Sequence, residues 1–294
     1  MELDNLRAFI SVAEQRSFSR AAERLHITQP AVSKRVSALE AELDTLLFDR
    51  IGHKIILTEA GKALIPRAKR ILLEVEDSKR AVANLTEEIA GPLQIGTSHH
   101  IGLHRLPPVL RRFIREHPHV HLNIQFMDSE EACNAVIHGE LELGIVTLPL
   151  APSADLHLTP VWHDPLVIVA HCDHPLLAKK TVAAEELSHY SAILPATGTF
   201  TREILEQALQ PLQIKLNVGM STNYLETIKM LVSVGLGWSV LPQSMLGDDI
   251  GMVNIPDLHM ERTLGVVSHK ERTLSNAARA LLDTLDKSKK GLNG

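Results

Sequence analysis

The stretch Ser19 to Leu43, SRAAERLHITQPAVSKRVSALEAEL, decides how the front of the chain folds. It reads as two short helices joined by a tight turn. The first, about Ser19 to Leu25, opens on a hydroxyl that can cap free backbone N–H groups, and Ala21 and Ala22 are small enough to let another helix pack close. His26 and Ile27 break it. Thr28 is then a natural N-cap and Pro30 sits in the first turn, where its missing N–H costs nothing, so the second helix starts near Gln29.

Along that second helix Val32, Val36, Leu39 and Leu43 recur at spacings of four, three and four and form one buried stripe, which leaves Gln29, Ser33, Lys34 and Ser37 on other faces. The helix carries no acid before Glu40. Gln and Ser read base edges, Lys and Arg neutralise phosphates, and a helix N-terminus accommodates a phosphate, so this face suits the major groove of DNA. An ordinary helical hairpin with a solvated charged face has the same spacing, and the pattern alone does not separate the two.

The 294 residues are 45% hydrophobic and 22% charged, enough to bury large cores and divide into two or more domains. No run of about 18 apolar residues occurs, and MELDNLRAFI lacks a basic stretch followed by an apolar one, so neither a membrane span nor a signal peptide is expected and the reading places the protein in the cytoplasm. Cys133 and Cys172 stand far apart in no C-x-x-C pattern, which argues for plain thiols over a disulfide framework. A net charge of −5 is unexpected for a nucleic-acid binder until it is divided: residues 1–70 hold 12 Lys and Arg against 9 Asp and Glu, the rest 18 against 26. A mildly basic head precedes an acidic body.

Around the helix pair, Leu3, Leu6, Phe9, Ile10 and Ala13 mark a helix over about Leu3 to Gln15 that completes a three-helix unit. Ile51-Gly52-His53-Lys54 reads as the turn of a two-stranded wing, with Arg50, His53 and Lys54 in reach of phosphates or the minor groove. From Thr58 onward Leu64, Ala68, Ile71, Val75, Ser78, Val82, Leu85 and Ile89 keep a four-three spacing, the seam of a helix of about 30 residues that Gly91-Pro92 ends; its length favours a partner helix in a dimer over packing on its own chain. Short apolar strands then alternate with helices to the end of the chain, which predicts an α/β domain with a mainly parallel sheet in two units, the last strand and helix returning to the first unit. Such an arrangement leaves a cleft at strand ends where small molecules bind.

These features resemble the LysR-type transcriptional regulators over nearly the whole chain. The marks are FxxVAEQRSFSRAAERLHITQPAVSKRVSALEAEL from Phe9, LFDR, LTEAG at Leu57 to Gly61, GPLQIGTS, LPPVLRRFIREHPHVHLNI, GELELGIV, HPL at His174 to Leu176, and LVSVGLGWSVLP. The resemblance implies an N-terminal winged helix-turn-helix (residues 1–58), a dimerising linker helix (59–90) and a periplasmic-binding-protein-like effector domain (91–294). In that last domain subdomain I takes 91–161 and 267–294, and subdomain II takes 162–266. It further implies promoter DNA as partner, a homo-oligomer that is usually a tetramer, and a small effector that changes how the assembly bends DNA.

Carried over by position, Gln29, Pro30, Ser33 and Lys34 face the groove, Thr28 and Arg35 assist at the backbone, and His53-Lys54 is the wing tip, where relatives often have arginine. Asp44 stands where many relatives have Gly at a helix end, a left-handed position that Asp occupies at some cost. The effector stretches implied are Thr97 to His100, Val146 to Leu148 and Ala196 to Arg202. From these Ser98, His99, His100, Thr147, Thr197, Thr199, Phe200 and Arg202 are expected to hold a small, anionic effector, with Asp128 and Asn223 ranked lower. For Ser98 and Thr199, plain N-caps are the competing reading.

Neither a metal nor a cofactor is expected: His171, Cys172, Asp173 and His174 match no zinc spacing. His99, His100 and His104 fall in one short stretch and would lend anion binding a pH dependence if they titrate near their ordinary value, although surface histidines are the commoner explanation. Two rival classes are an α/β enzyme using Ser98 with His99 or His100, and a pure solute-binding protein. Against the first stands the lack of a G-x-S-x-G elbow, P-loop or G-x-G-x-x-G; against the second, the extra N-terminal domain and the missing signal.

Overall fold

Apolar residues at helical spacing bury one face of each of the first three helices: α1 (Leu3–Gln15), α2 (Phe18–Leu25) and α3 (Gln29–Leu43). The computed structural model describes residues 1–51, 54–86, 88–256 and 258–291 and divides into two units, Met1–Leu85 and Thr86–Gly294.

In the first unit Leu6, Phe9, Val12, Ala21, Val32, Val36 and Leu39 form one core. The N-cap of α2 is Ser17, not Ser19: its hydroxyl accepts the Arg20 N–H, so the helix starts one residue earlier than expected. Asp44 ends α3 at φ 48° and ψ 40°, the left-handed cap that the sequence reading assigned to it. Strands β1 (Phe48–Ile51) and β2 (Lys54–Leu57) pair antiparallel as the wing.

Helix α4 (Glu59–Ala83) is shorter than the expected seam and stops at Ala83, well before Gly91-Pro92. Thr58 caps it, accepting the Gly61 N–H at 3.0 Å while donating to the Leu46 carbonyl at 2.7 Å. The first part of the seam already has a partner in its own chain, since Leu64, Ala68 and Ile71 pack on the helix-turn-helix core. Val82 (68% exposed) and Leu85 (83%) have none there.

The second unit contains β3 (Gly91–Thr97), α5 (His99–His104), α6 (Leu106–Glu116), β4 (Val120–Phe126), α7 (Ser129–Ile137), β5 (Leu143–Thr147), β6 (Leu156–His171), β7 (Ala192–Leu194), α8 (Phe200–Leu209), β8 (Val218–Ser221), α9 (Leu225–Ser233), β9 (Ser239–Pro242), β10 (Ile250–Met252), β11 (Met260–His269) and α10 (Asn276–Gly291). The main sheet runs β10-β6-β11-β5-β3-β4, with β9 also on β6; β7 and β8 pair separately. Contrary to the expected mainly parallel sheet, only β3 with β4 and β3 with β5 pair parallel there, whereas β6 and β11 pair antiparallel with each other and with all their other neighbours. Strand β6 has 16 residues and β11 has 10, and both run through two cores.

One core takes Val161, Trp162, Leu264 and Val266 from these strands together with Phe113, Ile145 and Leu281 of α10, so the chain's last strand and helix do return to the first half of this unit. The other takes Leu166, Ile168 and Met260 with Leu205 and Trp238. Where β6 and β11 shift register, Gly265 is required: a Cβ there would lie 2.4 Å from the Thr159 carbonyl. Trp238 is fully buried, and its indole N–H is satisfied by the Leu187 and Tyr190 carbonyls.

Candidate functional site

The face of α3 forms around its cap. Thr28 Oγ1 accepts the Ala31 N–H at 3.4 Å, and no acid occupies the first turn, so the positive end of the helix is uncompensated. Thr28, Gln29, Pro30 and Lys34 are exposed and Ser33 is half-buried. Gln29 Nε2 donates to Ser33 Oγ at 3.0 Å, which places both groups side by side one turn apart. Arg35 is placed differently: its guanidinium reaches Asp4 at 2.8 Å and ties α3 to α1, so contacting a phosphate requires breaking that pair. His53 lies outside the described residues, and of Lys54 only the backbone, at the start of β2, is described.

In the second unit four helices begin around one cleft of about 250 Å³: α5 after Ser98, α7 after Asp128, α8 after Thr199 and α9 after Tyr224. None of these four side chains caps its own helix, so first-turn N–H groups and the positive ends of the helix dipoles are directed there. Ser98, His99, His100, Thr147 and Thr199 line the cleft together, as do Asp128 and Asn223. His99 and His100 belong to α5, which begins directly after Ser98. His99 stands edge-on to both Phe126 and Tyr224 at the rim.

Thr197, Phe200 and Arg202 are not among the lining residues. Thr197 is exposed; Phe200 packs against the core of α7, its N–H donating to the Glu130 carboxylate. Arg202 is buried and spends its charge on Glu206, one turn along α8, at 2.6 Å. Thr201 lies on the cleft side of that helix instead.

The cation of the cleft is Arg262 of β11, which sequence reasoning missed. It is 4% exposed; Nε donates to Asp164 Oδ2 at 2.7 Å and Nη1 to Thr201 Oγ1 at 3.1 Å, while Nη2 has no hydrogen-bond partner among the described residues. Arg105 holds the other oxygen of Asp164 at 2.8 Å. The available signal was an acid inside VWHDPLVIVA and an arginine inside ERTLGVV, since charges set in apolar strands are buried only in pairs.

Acids also line the cleft. Asn223 donates to Asp128 and accepts the Ala196 N–H at 2.9 Å, joining the two halves. Burial raises the Glu130 carboxyl above its ordinary pKa, helped by Asp128 and Glu203 and opposed by the Phe200 N–H. Burial and the Arg262 charge push His100 down to about 4, so its imidazole is neutral at physiological pH. It turns Nδ1 to Glu226 at 3.2 Å. In the 171–174 loop, His171 and His174 accept the N–H groups of Asp173 and Leu176 and serve as turn caps. Among the described residues no helix is long and apolar enough to cross a membrane.

Residues 3–62 match the family model of bacterial regulatory helix-turn-helix proteins, lysR family, and residues 86–289 match that of the LysR substrate binding domain. A probable RuBisCO transcriptional regulator of Phaeodactylum tricornutum is 31% identical over 297 residues, which cover 98% of this chain and 97% of that protein. An uncharacterized HTH-type transcriptional regulator from the ibpB-leuC intergenic region of Azotobacter vinelandii is 62% identical over 108 residues, 37% of this chain and 75% of that protein. Among solved structures, a full-length OxyR variant from Pseudomonas aeruginosa superposes with a TM-score of 0.69 at 28% identity, over 97% of this chain and 98% of that one. With head and body both accounted for, the chain belongs to the LysR family of transcriptional regulators and joins a helix-turn-helix DNA-binding domain to an effector-binding domain.

Proposed function

We propose that this regulator reads promoter DNA as a homo-oligomer in the cytoplasm and that a small organic anion in the cleft, bound without chemical turnover, sets its DNA affinity. Residues 1–58 would read DNA, 59–90 link and pair protomers, and 91–294 receive the effector, subdomains I (91–161 and 267–294) and II (162–266) closing on it. On α3 Gln29, Pro30, Ser33 and Lys34 meet the groove, Thr28 orients the helix end, and Arg35 reaches the backbone once released from Asp4; His53 and Lys54 supply the wing contact. Exposure of Val82 and Leu85 supports pairing through the far end of the linker.

The observation that carries the effector reading is the convergence on a cleft lined by Arg262 of four helix N-termini that their own N-cap side chains leave open, although the first N–H of α8 is taken by Glu130. Ser98, His99, His100, Thr147 and Thr199 surround the anion there. Asp128, Glu130 and Glu131 line the same space and repel a bare anion, so the fitting ligand is a small carboxylate that also carries hydroxyl or amino donors.

The test is a thermal-shift screen of plain, hydroxylated and amino-substituted carboxylates. A ligand at 100 times its Kd stabilises by about 2.7 kcal/mol. For a unit of this size that is a rise of roughly 5–11 °C. Thr199→Ala and Ser98→Ala are expected to reduce the rise; a shift unchanged in both would place the ligand elsewhere.

A further inference from the structure

A second cavity, of about 410 Å³, lies along α5 and α9 and is lined by His100, His104, Arg105, Glu226, Lys229 and Met245 among others. Positions i and i+4 of α5 put His100 and His104 on one helix face, their rings 4.7 Å apart. Glu226, in the first turn of α9, meets both: His100 Nδ1 is 3.2 Å and His104 Nε2 is 3.1 Å from the same Oε1. One ligand atom from each residue lies within 4.8 Å of the others.

These separations are close to what a metal needs. In a tetrahedral Zn²⁺ site with bonds of about 2.0–2.2 Å, neighbouring ligand atoms stand roughly 3.4 Å apart. The carboxylate is also incompletely satisfied: Glu226 Oε2 is buried without a hydrogen-bond partner among the described residues, and His100 beside it is 4% exposed. Asp164 is shared by Arg105 and Arg262, so one positive charge remains near His100 and the Glu226 carboxylate opposes it, while the flexible stem of Lys229 lets its ammonium turn to solvent.

We propose that His100, His104 and Glu226 form a site for a divalent transition metal of the Zn²⁺ type, which fastens α5 to α9 and keeps a fourth position open to solvent. Two imidazoles and one carboxylate favour Zn²⁺, Co²⁺ or Ni²⁺ over Mg²⁺ or Ca²⁺, which take oxygen ligands. Because His100 also lines the effector cleft, a metal on Nδ1 fixes its proton on Nε2 and links metal occupancy to the hydrogen-bonding character of a cleft residue. Glu226 stands 126 positions from His100, which is why the sequence reading, expecting no metal, had no spacing to find.

The experiment uses the full chain, stripped with EDTA and dialysed. It is titrated with ZnCl₂ against a chromophoric chelator and with CoCl₂ followed by visible absorption. The expected result is one Zn²⁺ per chain and the intense d–d bands of four-coordinate Co²⁺. Losing a direct ligand costs at least what an outer-shell partner does, so His104→Ala, at a half-exposed site that tolerates truncation, and Glu226→Gln each weaken Zn²⁺ by more than about tenfold. His163→Ala, at an exposed histidine paired with Glu261, leaves affinity unchanged. Absence of stoichiometric Zn²⁺ uptake by the wild type, or uptake unaltered in both His104→Ala and Glu226→Gln, overturns the proposal.

Discussion

Asp164 is 1% exposed and accepts from two arginines, Arg262 at 2.7 Å and Arg105 at 2.8 Å. In Asp164→Ala, Arg262 keeps only the Thr201 hydroxyl as partner among the described residues, and its guanidinium, 4% exposed at the cleft wall, has little access to water. Removing one member of a buried ion pair costs about 3–5 kcal/mol. For a unit of roughly 200 residues, each kcal/mol lowers Tm by about 2–4 °C, so the effector-binding unit should melt roughly 6–20 °C earlier. Both tryptophans, Trp162 and Trp238, lie in this unit, so intrinsic fluorescence follows its unfolding alone. Asp164→Leu combined with Arg262→Met removes the stranded charge and should recover most of the loss. A loss below about 1 kcal/mol for Asp164→Ala, or a double variant as unstable as the sum of its parts, would refute the reasoning.

In the first unit, Thr58→Ala removes the cap of α4 and a bond to Leu46, and urea denaturation should show about 1 kcal/mol lost. Glu14 is opposed by burial but held below its ordinary pKa by Lys69 and Arg24. Its folded value is depressed, so its contribution is present above the ordinary value of 4.5 and lost as pH falls through the folded value; Glu14→Gln should flatten this unit's acid-unfolding profile. Burial pushes the Cys133 thiol up to about 12 while Cys172 is exposed, so a thiol reagent at about pH 8 should modify one cysteine quickly and the second only after denaturation. In DNA titrations Gln29→Ala should cost about 1–3 kcal/mol of sequence discrimination. Lys34→Ala should instead weaken all sequences alike and lower the salt slope by about 1.

Local chemistry made the head legible: Thr28 and Pro30 announce α3, the Val32, Val36 and Leu39 stripe says which face is buried, and Asp44 marks its end. The seam's length was misjudged because the four-three spacing runs on to Ile89 although α4 stops at Ala83, and periodicity shows that Ala68 and Ile71 need a partner without saying whether the same chain or a second one supplies it. Strand direction was equally hidden, since β6 and β11 pair across about a hundred residues and neither segment carries a mark of orientation. Around the cleft, residues at helix starts such as Ser98 and Thr199 could be read from the turns they occupy. Arg202 was misplaced because position on a helix start does not fix which side a side chain takes, and Arg262 was missed because its partners Asp164 and Thr201 meet it only in three dimensions.

On this protein the outer face of α3 is the surface expected to read DNA. Fluorescence anisotropy with labelled duplex from the region upstream of the protein's own gene, at low salt with unlabelled competitor, measures it directly. The account predicts saturable binding that resists non-specific competitor in the wild type and loses that resistance in a Gln29→Ala, Ser33→Ala variant whose fold is intact. No binding by the wild type, or equal discrimination by the variant, would contradict it.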